Sequence, residues 1–245
     1  MKKVVIFIFL FGACVYKDSH KSHFAISIIN DVTDSMLLRP NATAVVSFLD
    51  IANRRNDAFS FRYREISDKV FSTVVDMELK DEVGTALQNK GSIPMYRERL
   101  VKRFADSVKI TLSKEVQATA TSILPYSECF KVIIEELIEL SKSKAKDKVL
   151  LVFSDLAEHS PDIFTCFSPD YTVLPATLTK DAIKAFENTN LIYKRYDGIT
   201  VFIVYKPRTR YEDKRFALMS QAYKSILEKR GARVTIQAQN NSFKL

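Results

Sequence analysis

Residues 148 to 154 read Lys-Val-Leu-Leu-Val-Phe-Ser. A strand with one wet face alternates apolar and polar side chains, so a continuous apolar run describes a strand covered on both faces, as in a parallel sheet flanked by helices. Ile199 to Tyr205 (ITVFIVY) repeats the signal. Two such strands require helices to cover them, and the segments between and around them supply helices.

Val45, Val46, Leu49 and Ile51 recur at helical spacing within Pro40 to Ala52. Pro94 to Ala118 spaces Leu100, Val101, Phe104, Val108, Leu112 and Val116 mostly four apart and carries Arg97, Arg99, Lys102, Arg103 and Lys109 elsewhere, which predicts a long amphipathic helix with a basic outer face. Phe130 to Leu140 places Phe130, Ile133, Ile134, Leu137 and Ile138 on one stripe, with Ser127 where an N-cap belongs. Lys180 to Glu187 and Tyr211 to Arg230 complete the helices, the second closed by Gly231. Phe24 to Asp31 reads as the first strand, Phe59 to Ile66 and Thr73 to Leu79 as an antiparallel pair, and Ala232 to Gln237 as an edge strand. The alternation predicts an α/β fold of three layers: a mainly parallel central sheet with one antiparallel edge strand and helices on both faces. The expected core includes Ile26, Ile28, Val45, Phe104, Ile134, Leu151, Phe153, Val201, Ile203 and Leu227. A length of 245 residues with 47% hydrophobic and 27% charged residues suits one folded domain, residues 24 to 245.

Two strand ends carry acids. Asp31, Thr33 and Ser35 follow the first strand at positions i, i+2 and i+4, and Asp155 follows the run at 148 to 154. On an irregular turn, alternate side chains can converge on one point, and a carboxylate with two hydroxyls makes a hard oxygen site of the kind Mg²⁺ accepts. The alternative at the first loop is a helix cap built from Asp31 or Thr33. In open parallel sheets, ligands bind beyond the carboxyl ends of the strands, which is where both acids fall.

The amino terminus, MKKVVIFIFLFGAC, joins two lysines to an apolar core from Val4 to Phe11, too short to span a bilayer, and ends in Gly12-Ala13-Cys14. It reads as a signal peptide over residues 1 to 13. The small residues before Cys14 resemble the lipobox of bacterial lipoproteins, although Phe11 stands where Leu is usual; the resemblance implies lipidation of Cys14, export, and a membrane-anchored place in the bacterial cell envelope. Residues 14 to 23 then form a polar tether. The formal charge of +8 falls to +6 if Lys2 and Lys3 are removed, a balance that permits acidic partners without demanding them.

The order of elements and the D-x-T-x-S loop resemble the von Willebrand factor A domain, over nearly the whole stretch from Phe24 to about Gln237. The resemblance implies a metal-ion-dependent adhesion site binding Mg²⁺ or Mn²⁺. Asp31, Thr33 and Ser35 match its first loop, Thr33 keeping the hydroxyl of the usual Ser, and Asp155 matches its third. Ser127, with Glu128, stands where the second loop supplies a Thr; Thr119 and Thr121 are rivals. The implied partner is a protein offering an acidic side chain, with binding rather than catalysis as the outcome. A metal-free structural component of an envelope assembly is the alternative.

Other classes fit less well. A phosphotransferase of the haloacid dehalogenase type could use Asp31 and Ser154, but Thr33 stands where its acid/base Asp belongs. Glycines occur only at positions 12, 84, 91, 198 and 231, so no phosphate-cradling loop can be written, nor is there a G-x-S-x-G elbow. His20, His23 and His159 have no ligand spacing to Cys129 and Cys166, which argues against zinc; the two cysteines are either a disulfide or buried thiols.

Overall fold

The computed structural model describes residues 23–34, 36–51, 53–54, 57–66, 74–80, 93–118 and 126–238. The expected signal peptide, Cys14 and nearly all of the tether lie outside them, as do Ser35, Thr119 and Thr121.

The chain runs β1 (His23–Asp31), α1 (Ala42–Leu49), β2 (Ala58–Ile66), β3 (Val74–Leu79), α2 (Ile93–Ala118), α3 (Cys129–Lys142) and β4 (Asp147–Phe153). Two short strands follow, β5 (His159–Ser160) and β6 (Phe164–Thr165), then α4 (Thr177–Glu187), β7 (Ile199–Val204), α5 (Arg210–Lys229) and β8 (Arg233–Gln237). Six strands form one sheet in the order β3-β2-β1-β4-β7-β8. All its pairings are parallel except β2 with β3. The chain leaves β1 toward β2 on one side and returns to β4 on the other, so the carboxyl ends of β1 and β4 flank the point where the winding reverses.

Alternate residues of the central strands serve two cores, as a period of two dictates. Phe24, Ile26 and Ile28 of β1, with Val149, Leu151 and Phe153 of β4, pack against Val45 and Leu49 of α1 and against Val101, Phe104, Val108 and Leu112 of α2. Ala25 and Ile29, with Leu150 and Val152, pack against α3, α4 and α5, including Ile134, Phe186, Tyr223 and Leu227. The three-layer α/β arrangement is therefore as expected, and so is the expected core. Among the described residues no helix is long and apolar enough to cross a membrane.

Several local expectations are corrected. Helix α1 is shorter than the periodic stretch and is capped by Asn41, whose Oδ1 accepts the Ala44 N–H at 2.8 Å. Ser127 does not cap α3. It forms an isolated antiparallel bridge with His159, and Glu158 takes the capping part by accepting the Phe130 N–H at 2.8 Å. Helix α4 starts at Thr177, three residues before the expected Lys180. Arg97 is buried rather than outward, its Nη1 and Nη2 donating to the carbonyls of Lys80 and Asp57, both at 2.6 Å.

The arginines of β2 are partly covered by α3. Arg62 Nε donates to the fully buried Glu136 of α3 at 2.8 Å, and Arg64 pairs with both Glu135 and Glu136. Ser27 Oγ donates to Glu136 at 2.8 Å from β1. A buried carboxylate needs such partners, since an unpaired charge in the interior is costly.

Helix α5 ends in a Schellman motif: the Gly231 N–H reaches the Glu228 carbonyl at 2.9 Å and the Ala232 N–H reaches that of Leu227 at 3.1 Å. Gly231 takes φ +96°, open to glycine at little cost. It lies just past the cap residue, Arg230.

Candidate functional site

Asp31 is the last residue of β1 and is fully buried. Its Oδ1 accepts the Thr33 N–H at 3.0 Å and the Thr33 hydroxyl at 2.5 Å, which curls the loop back over the strand end. Its Oδ2 accepts the Ser154 hydroxyl at 2.6 Å and, more weakly, the Cys129 thiol at 3.6 Å. Arg39 grips the same loop from outside: Nη1 donates to the Asp31 carbonyl and Nη2 to that of Asp34 at 3.0 Å.

The second acid comes from the loop after β4. Asp155 Oδ1 accepts the Ala157 N–H at 3.0 Å, and Oδ2 accepts from Arg215 Nη2 at 2.7 Å. Leu156, between them in sequence, adopts φ +57°, so the loop turns sharply. Ser127 Oγ lies 3.1 Å from Cys129 Sγ, which in turn lies 3.5 Å from Ser154 Oγ. Ser127 thus reaches Asp31 through the Cys129 thiol rather than directly.

Burial, reinforced by the negative charge of Asp155, pushes the Asp31 carboxyl up to about 6, against the lowering effect of its hydrogen bonds. Burial also raises Asp155, with the Arg215 guanidinium opposing it. Next to them, burial lifts Glu158 to about 8; its Oε2 accepts from the Phe130 N–H and from the Tyr223 hydroxyl, both at 2.8 Å. Burial raises the Cys129 thiol well above its ordinary value and pushes Cys166 up to about 12. Both cysteines are free, so the thiols stay protonated at neutral pH and act as small apolar groups rather than nucleophiles.

Asp31, Thr33, Ser127 and Asp155 accordingly gather at one end of the sheet. Among the described residues no three carboxylate, imidazole or thiol groups form a metal-ligand cluster, so any ion held here would draw on hydroxyls as well as the two acids. Sequence reasoning overlooked Arg215 and Glu158 as parts of this region. The available signal for Arg215 was its place on the buried stripe of α5, four residues before Met219 and eight before Tyr223. A cation on an apolar stripe needs an acid to meet.

No protein-family model matches the chain, and no curated protein matches it in sequence. Among solved structures, the D319A mutant of the PilB minor pilin from Streptococcus sanguinis is similar with a TM-score of 0.51 at 10% identity, over 91% of this chain and 58% of that one. The chain thus spans little more than half of the pilin's length. An aerotolerance-related membrane protein from Bacteroides fragilis, bearing multiple mutations to serines, gives a TM-score of 0.41 at 10% identity over 89% of this chain and 93% of that one. The conserved hypothetical protein BatB from Bacteroides thetaiotaomicron gives 0.35 at 10% identity over 89% and 92%. The likeness to the pilin is one of fold alone, and the two lower scores carry no weight.

Proposed function

We propose that the chain is a von Willebrand factor A-like binding domain that takes Mg²⁺ or Mn²⁺ between Asp31 and Asp155 and through it holds an acidic side chain of a partner protein. The observation that carries this reading is the placing of two carboxylates, Asp31 buried and Asp155 largely shielded, at the ends of the neighbouring strands β1 and β4, where the charge of Asp155 helps raise Asp31. Thr33 and Ser127 would add hydroxyls, and Ser35 a third from the first loop. The donor set fits: the side-chain oxygens are hard, and the two carboxylates supply the negative charge a divalent ion prefers, with Arg215 on Asp155 and Arg39 on the backbone of the first loop beside them. When bound, the ion would supply Lewis acidity toward the partner's carboxylate. The chain's own part is to hold the acids in place, Arg39 by clamping the first loop and Ser154 by fixing the inner oxygen of Asp31.

Calorimetric titration of the metal-stripped protein with Mg²⁺ and with Mn²⁺ tests this. Binding should occur in the wild type and vanish in Asp31→Ala and Asp155→Ala, because each acid supplies both a bond and charge balance. Failure of the wild type to bind either ion would leave the metal-free structural reading, which draws its support from the Arg215–Asp155 pair.

The proposal extends to export with Cys14 lipidated, on the strength of the two lysines, the apolar core and Gly12-Ala13-Cys14. Cys14→Ser should shift the protein from the membrane fraction to the soluble one. An unchanged distribution would rule the anchor out.

A further inference from the structure

Arg215 Nη2 meets Asp155 Oδ2 at 2.7 Å, with both side chains largely shielded from water. The guanidinium lies 4.9 Å from the Phe167 ring centre and 5.9 Å from that of Tyr211, within the range of cation–π attraction. The other oxygen of Asp155 is held by the Ala157 N–H. Each carboxylate oxygen keeps a further lone pair, but a divalent ion arriving at Asp155 would meet the guanidinium already on that carboxylate, and two positive charges at such range repel.

We infer that Arg215 is a resident competitor for the cation, a latch whose charge on Asp155 opposes a divalent ion until the arginine moves off the carboxylate. The inference rests on the cation reading above and adds what sets its affinity. The latch is built to hold: a shielded ion pair is weakened little by salt, and the two rings fix the guanidinium from the side. It is also built to release. Arg215 Nε is buried and has no hydrogen-bond partner among the described residues, so the arginine is not fully satisfied where it sits. Phe167 and Tyr211 are themselves about half exposed, which places the guanidinium one ring's depth from solvent. The apparent affinity of the site is then its intrinsic affinity scaled by the fraction of molecules with Asp155 released.

The test compares Mn²⁺ titrations of the full chain in the wild type, Arg215→Ala, Arg215→Gln and Asp155→Ala, with circular dichroism establishing that each is folded. Removal of the competitor should tighten Mn²⁺ binding by about tenfold or more in Arg215→Ala and in the near-isosteric Arg215→Gln, and Mn²⁺ should raise their thermal midpoints more than that of the wild type. Equal affinities in the wild type and both arginine variants, with binding still lost in Asp155→Ala, would overturn the latch and leave the cation site standing. Weaker binding without the arginine would make Arg215 a supporter of the site and overturn the latch as well. Absence of binding in every protein would overturn both the latch and the cation reading.

Discussion

Ser154 donates its hydroxyl to Asp31 Oδ2 over 2.6 Å, so the ends of two neighbouring strands, 123 positions apart in sequence, share one buried hydrogen bond. The same hydroxyl oxygen accepts the Leu156 N–H at 2.9 Å and so shapes the loop that carries Asp155. Ser154→Ala removes a donor from a buried carboxylate and strands an amide. It should destabilise the protein by about 2 kcal/mol, read from the midpoint of urea unfolding at unchanged slope. A midpoint equal to that of the wild type would mean that the bond contributes nothing net.

Glu158 gives a pH dependence of defined sign. Its folded pKa is raised to about 8 from an ordinary 4.5, so between those values the native state keeps a proton that the unfolded chain releases. Its contribution is full below about pH 4.5 and declines as the pH rises toward 8, with a slope of at most about 1.4 kcal/mol per pH unit for one proton. Glu158→Gln retains an oxygen to accept from the Phe130 N–H and the Tyr223 hydroxyl but does not titrate. Its unfolding free energy should fall less steeply than the wild type's across that window, and parallel profiles would contradict the assignment.

Glu136 is the acid on which two arginines converge. Glu136→Ala leaves Arg62 and Arg64 without their shared partner beneath α3 and should cost about 3 kcal/mol, the range expected when one member of a buried ion cluster is removed. Glu136→Gln, which still accepts from Ser27, should cost less. A loss under about 1 kcal/mol for the alanine variant would show that the arginines find water instead.

The layers were readable because they follow from periodicity alone. Ile26 and Ile28 against Ile29 on β1, or Leu151 against Leu150 and Val152 on β4, announce two buried faces in a single run, and the helices repeat at four. Asp31 and Asp155 were readable because an acid at a strand end breaks that pattern abruptly. Glu158, Glu136 and Arg215 were not, because each is buried only through partners from remote segments: Tyr223 and Phe130 for the first, β1 and β2 for the second, Asp155 for the third. The misassigned cap has the same cause. Ser127 has the right side chain in the right place, but an acid 31 residues along the chain reaches α3 first.

Gly231 is a position where backbone freedom matters. A Cβ there would lie 2.2 Å from Asp197 Oδ1, and although that exposed side chain can move aside, the positive φ remains. Gly231→Ala should cost about 1 kcal/mol from backbone strain, seen as a lowered thermal midpoint. Replacing Gly231 by Asn, which tolerates the left-handed region better, should recover part of it.

The charged contact beneath α3 has a geometric consequence beyond its energy. An apolar seam is forgiving, since sliding a helix by one turn exchanges one methyl contact for another. Arg62 and Arg64, two residues apart on β2, both reach Glu136: a slide of one turn would present Val132 or Leu140 in its place and take the shared carboxylate from both guanidiniums. The pair works as a key in a shaft, indexing the helix along its axis. Because α3 begins at Cys129, whose thiol touches Asp31, the keyed helix also fixes how far Ser127 and its loop advance over the end of β1.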